Sequence, residues 1–275
     1  MLALPQFNQW KIVTIVQLVI FLITFGAFIT ITVFQYRKHG GLRRVLMFCI
    51  GITIFHTFKI VGAILGLVLI NQDEINTSLF IPTYIFDTIS LAIITNAIKS
   101  LVQVMLLDQQ KQNMPPPSYT QKDIEIGQYN TSSNKKEKVN FRPFRILSVV
   151  LLAAIVLNII GVSQLSGGDV TSTTEALTKA SSVLFLVGVL LLIGTLVFVH
   201  ASGDDFNLVA KILIAALVIL IVRCSYTMAS AFNGLDFEHP NQFMIYFGHF
   251  QYYCFMGMLM ELIAICIVLG AFSVW

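Results

Sequence analysis

The sequence predicts an all-α polytopic membrane protein, one bundle of seven transmembrane helices over residues 1–275, N-terminus outside and C-terminus cytosolic. Three observations carry this expectation. Hydrophobic residues make up 56% of the chain and charged ones only 11%, against about 25% charged in a soluble domain. Seven apolar stretches approach the ~20 residues a helix needs to cross a bilayer. Basic residues crowd into alternate loops, as cytosolic loops require.

The first stretch, 12–34, has no basic leader, exceeds an ~7–15-residue signal core and shows no small-x-small cleavage site. It reads as a retained span. The second, 45–70, contains Lys59 and the close-packing pattern Gly62-x-x-x-Gly66. The third, 79–107, carries Asp87 and Lys99, and 144–162 and 177–199 are apolar spans without central charges. Arg223 lies within 208–232 and Glu261 within 243–274, read as one continuous last helix.

Orientation follows from the loops. Arg37, Lys38, Arg43, Arg44, Lys111, Lys122, Lys135, Lys136, Lys138, Arg142, Arg145 and Lys211 fall on one face, and only Lys11 and Lys179 on the other. The basic face is the cytosolic one, in the plasma membrane or an endomembrane. The net charge of +3 is absorbed by this topology and points to no nucleic-acid partner. The four cysteines all fall within spans and form no C-x-x-C, so they read as small buried apolar residues.

Residues 108–142 are rich in Gln, Asn, Ser, Lys and Pro and nearly free of apolar side chains. Such a segment cannot bury enough surface to fold alone, so a disordered cytosolic loop is expected between helices 3 and 4. It contains P-P-x-Y at Pro116, Pro117 and Tyr119. Prolines preset a polyproline II helix that an aromatic groove grips at little entropic cost. The pattern resembles docking sites for WW domains, including those of ubiquitin ligases, with Lys111, Lys122 and Lys135 nearby as acceptors. The bland alternative is a turn-rich linker.

The charges inside the spans are the best pointer to function. Each costs about 2.5–3.5 kcal/mol at the bilayer centre on insertion scales. At ~1.5 Å per residue, Asp87 lies about 12 Å, Arg223 about 13 Å and Lys59 about 16 Å from the outer ends of their helices. These three form a midplane layer, with one acid facing two bases and one positive charge in excess. That excess can receive an anionic or lipid ligand, unless a desolvated lysine gives up its proton. His56 shares the Lys59 stripe, Tyr226 and Ser230 share the Arg223 face, and Thr83 and Ser90 share that of Asp87. Counted from Phe243, Glu261 lies about 27 Å deep, level with Lys99 at about 30 Å, so the two can pair near the cytosolic boundary. Lys99 can also snorkel to the headgroups. The expected polar site is therefore Lys59, Asp87, Arg223, Tyr226, Glu261 and His56, and the bland alternative is an ion network that only fixes helix register.

Enzymatic chemistry finds no support. G-x-x-x-x-G-K-[ST] and H-E-x-x-H are absent, and the five histidines show no ligand-like spacing. No metal or other cofactor is expected. The last helix has no lysine for a retinal Schiff base, and helix 3 ends Met105-Leu106-Leu107-Asp108 without the acidic-Arg-aromatic triplet of rhodopsin-like receptors. The remaining function classes are a transporter-like protein and a seven-helix sensor signalling through its cytosolic loop, with a zinc-dependent membrane hydrolase on His56, His249 and Asp87 as a third.

The most distinctive text is Ile221-Val222-Arg223-Cys224-Ser225-Tyr226, then Phe255-Met256-Gly257-Met258-Leu259-Met260-Glu261 and Gly270. It resembles a group of fungal multi-pass proteins known only as a domain of unknown function, with an Arg-x-x-Tyr on the sixth helix and a Met-Glu late on the seventh. A second resemblance is to the fungal lipid-translocating exporter family linked to aminocholesterol resistance. That family carries another Arg and a Glu after the first Arg, where this chain has Thr227 and Ser230. Neither resemblance implies a reaction.

Overall fold

A computed structural model describes residues 7–39, 45–72, 76–112, 142–167, 171–201, 207–234 and 240–274. Among them the chain is helical, with seven helices long and apolar enough to cross a membrane. They are α1 (Phe7–His39), α2 (Leu46–Ile70), α3 (Thr77–Gln112), α4 (Arg142–Ser163), α5 (Ser172–Ala201), α6 (Asn207–Phe232) and α7 (Phe250–Val274). In hydrocarbon every backbone group must bond within its own segment, which helices achieve.

The consecutive pairs α1–α2 and α3–α4 run antiparallel. Lys11 near the start of α1 donates to Asn71 just past α2, and Thr24 meets His56 halfway along. Asn158 donates to Thr88 at 2.6 Å between α4 and α3, and Lys99 to Ser148 at 2.7 Å nearer their other ends. α1 and α7 run parallel: Trp10 donates to the Gly248 carbonyl before α7, and Gln35 to the Phe272 and Ser273 carbonyls at its end.

α3 is the central helix. In its most apolar stretch 78% of residues are buried, against 33% for α1 and α4, which face lipid. Gly51 lets α2 approach it, since an added Cβ would lie 2.9 Å from the Ala97 Cβ. The expected Gly62-x-x-x-Gly66 stripe works differently. A Cβ on Gly62 would meet Phe86 at 3.4 Å, but one on Gly66 would lie 2.7 Å from the Tyr246 Cζ, so Gly66 makes room for a ring rather than for a helix backbone.

Two expected boundaries need correction. α3 continues to Gln112, so the first residues of the expected 108–142 loop are helical. The last helix starts at Phe250 and not at Phe243. Residues 240–249 instead form an irregular hook whose Met244, Ile245 and Tyr246 are buried. Tyr246 sits at φ 66°, a left-handed conformation that a helix cannot carry. The Asn241 side chain accepts from the Phe243 N–H, and the Gly248 N–H donates to the Met244 carbonyl. The apolar run misled because its side chains insert into the bundle from a loop.

Candidate functional site

Four helices each contribute one charge to a closed ring. Lys59 of α2 pairs with Asp87 of α3 at 2.7 Å and with Glu261 of α7. Arg223 of α6 pairs with Asp87 through Nη2 at 2.6 Å and with Glu261 through Nε at 3.0 Å. Acids and bases alternate around the ring. The side chains of Lys59, Arg223 and Glu261 are at most 1% exposed and that of Asp87 is 7% exposed.

The ring is therefore electroneutral, with two acids for two bases. This corrects the expected surplus positive charge, and with it the anion-receiving argument. The error lay in the depth of Glu261. From Phe250 it is eleven residues along its helix, about 16 Å, the same depth as Lys59. Lys99 does not pair with it and donates to Ser148 on α4 instead.

A π-turn, Tyr253–Met258, sets the face that α7 presents. Eight residues of ideal α-helix turn about 800°, leaving Tyr253 and Glu261 roughly 80° apart. A π-turn absorbs about one residue, which brings the pair within roughly 20° of one another. The Tyr253 hydroxyl then lies 2.9 Å from Asp87 Oδ1 and 3.0 Å from Gln17 Oε1 of α1. Gly257 makes this possible, because a Cβ there would stand 2.9 Å from the Tyr253 ring.

Smaller groups complete the bonding. Arg223 Nη1 donates to Thr227 at 2.7 Å, and the Ser90 hydroxyl lies 2.6 Å from the Asp87 carbonyl and 3.3 Å from Glu261 Oε1. The Arg223 guanidinium lies 5.4 Å from the Tyr226 ring centroid, within cation–π range. Trp10 packs against both Tyr246 and Tyr253, with ring centroids 5.3 and 5.4 Å apart. The hook thus lies beside the ring on the side where α1 begins. Burial pushes the Tyr246 phenol above its ordinary value, and the negative charge of Asp87 adds to that.

Of the expected site residues, Lys59, Asp87, Arg223 and Glu261 form the ring, and Tyr226 flanks it. His56 does not join. Its Nδ1 meets the Ile52 carbonyl at 2.8 Å, its Nε2 faces Thr24 of α1 at 3.2 Å, and Phe21, Phe25, Phe28 and Phe55 enclose it. Pro116, Pro117 and Tyr119 lie outside the described residues. Tyr253, Gln17 and Thr227 were not foreseen; the only trace of the first is Gly257 one turn on. No group of three or more His, Cys, Asp or Glu side chains among the described residues is arranged to hold a metal.

No curated protein and no solved structure matches the chain. Residues 124–272 match a family described as a domain of unknown function, DUF7702. The match takes in Arg223, Tyr226, Tyr253 and Glu261, while Lys59 and Asp87 fall before it. Since it covers more than half of the 275 residues, the chain belongs to the DUF7702 family.

Proposed function

We propose that this chain is a non-enzymatic, transporter-like membrane module, N-terminus outside and C-terminus cytosolic, whose charge ring is the closed state of a polar intramembrane site. The observation that carries this reading is the ring itself, four charges from four helices buried on one another at mid-depth. Replacing a buried ion network by apolar side chains of similar volume is often neutral or stabilising. Stability alone therefore gives little reason to hold four charges inside a bilayer, where such groups mark substrate and ion pathways. Because the ring is neutral, an ionic group of a substrate enters by taking the place of one ring member. A phosphate or carboxylate would do so by displacing Asp87 or Glu261 from Arg223. The resemblance to the lipid-translocating exporter family, from which this chain departs on the sixth helix at Thr227 and Ser230, makes a lipid headgroup the first substrate to try.

The test is sensitivity to lipid-active compounds in cells carrying Asp87→Asn or Glu261→Gln, with the amount of folded protein measured alongside. Altered sensitivity at unchanged protein level supports the transporter reading. Unchanged sensitivity with both variants folded leaves a register-fixing network. If deletion of residues 113–141 silences the phenotype while ring variants do not, the chain is a sensor.

The same loop is proposed to direct turnover through Pro116, Pro117 and Tyr119. A loop peptide should bind a WW domain and lose binding on Tyr119→Ala, and the full-length variant should persist longer in cells.

A further inference from the structure

A second charged position lies apart from the ring. Lys99 of α3 is 8% exposed, and its ammonium donates to Ser148 of α4 at 2.7 Å. The Ser148 hydroxyl donates its own hydrogen bond to the Phe144 carbonyl at 2.9 Å, so it serves Lys99 as an acceptor only. Among the described residues no carboxylate lies within ion-pair distance of Lys99. The ring sets each of its charges against an opposite one; this lysine has one neutral oxygen opposite it and no acid.

Its depth places it at the membrane boundary. Lys99 lies twenty-two residues past Thr77, where the apolar stretch of α3 begins, about 33 Å along the helix, just beyond the ~30 Å that a hydrocarbon core spans. The Ser148 contact holds its ammonium about 8 Å in from Pro143, where that of α4 begins. Arg145 stands three residues before Ser148, one turn nearer the membrane edge on the same side of α4, and is exposed. Residues three apart on a helix are surface neighbours, about 5–6 Å between Cβ atoms. Along that side, Leu152 and Ile159 follow at helical spacing, 61% and 40% exposed. The α3–α4 seam therefore offers one cation at the membrane edge, a second about one and a half helical turns further in, and an apolar track running inward from them.

We propose that this seam binds an anionic phospholipid, its phosphate between Lys99 and Arg145 and one acyl chain along Leu152 and Ile159. The lipid supplies the counter-charge that the protein does not. Phosphate suits the pair because arginine and lysine both donate to it with charge assistance. Basic seams between spanning helices are where such headgroups settle. The site is independent of the charge ring, so its fate and that of the transporter reading are decided separately.

The full chain in nanodiscs of phosphatidylcholine with a minor share of phosphatidylserine tests the proposal, with retained lipid counted by mass spectrometry after detergent extraction. Wild type should retain phosphatidylserine over phosphatidylcholine. Each of Lys99→Gln and Arg145→Gln should lower that preference about fivefold, corresponding to about 1 kcal/mol per basic residue, and Lys99→Arg should restore most of it. Arg145 is exposed, so its variant stays informative even if Lys99→Gln folds poorly. Equal retention of the two lipids by wild type, or a preference that Arg145→Gln leaves intact, would overturn the proposal. Millimolar inorganic phosphate stabilising the wild type in pure phosphatidylcholine as much as phosphatidylserine does would also overturn it, because the ligand would then be a soluble phosphate.

Discussion

Glu261→Gln is the perturbation that most sharply separates the ring from the pairing read from the sequence. Glu261 takes two ion pairs, with Lys59 and with Arg223, and a bond from Ser90. Glutamine keeps the shape and one acceptor, but points an amide N–H₂ at a cation and leaves the ring with an extra positive charge. Breaking a buried pair by removing one partner costs about 3–5 kcal/mol. At about 2–4 °C per kcal/mol for a chain of this size, the melting temperature in nanodiscs should fall by about 6–20 °C. Lys59→Met on its own should be similarly damaging. The double variant keeps Asp87 with Arg223 and is neutral again, so its loss should be about 1–3 kcal/mol smaller than the sum. Lys99→Met, by contrast, should add to Glu261→Gln without coupling, since Lys99 meets Ser148. The reasoning fails if Lys59→Met and Glu261→Gln add to within about 0.5 kcal/mol, or if Lys99 is the residue that couples.

Three further predictions concern the support of the ring. Tyr253→Phe removes a hydroxyl bonded to an ionised group and should cost about 1.5–3 kcal/mol. Gly257→Ala should show most of that loss by displacing the same ring, and Tyr253→Phe should then add little to it in a thermal melt. Gly248→Ala sets a Cβ 2.6 Å from the Gln242 backbone carbon, so it should destabilise the hook, and cleavage within 240–249 by an added protease should quicken. For pH, the Tyr246 phenol is raised in the folded chain, so its contribution is fully present below an unfolded value of about 10 and is lost as pH climbs beyond that. Tyr246→Phe should flatten the fall in stability above pH 10 in an alkaline titration of the melting temperature.

Much of this was legible in the residues. Spans are set by the length and apolarity of single segments, which a bilayer makes nearly sufficient, and all seven were found. Lys59, Asp87 and Arg223 could be set at one level because a straight helix converts residue count to depth. The same rule failed at Glu261, since the count began in an apolar run that folds as a hook. Whether Phe243–Phe247 continues a helix is decided by what its side chains fill, here the space left by Gly66, and not by its composition. Tyr253 was hidden for a related reason: α-helical spacing turns it away from Glu261, and only the π-turn returns it. His56 illustrates the opposite error. It shares a stripe with Lys59, yet the face of α2 divides there, Lys59 toward α3 and α7, His56 toward α1.

Whether the ring is held for function or for stability is decided by removing all its charges at once. Lys59→Met, Asp87→Leu, Arg223→Met and Glu261→Leu together leave no unpaired ion and roughly conserve volume. The measurement is the response of cells carrying this variant to lipid-active compounds, alongside its melting temperature. The variant should fold with wild-type stability or better and lose the wild-type response. A stable variant that keeps the response would contradict a functional role for the ring.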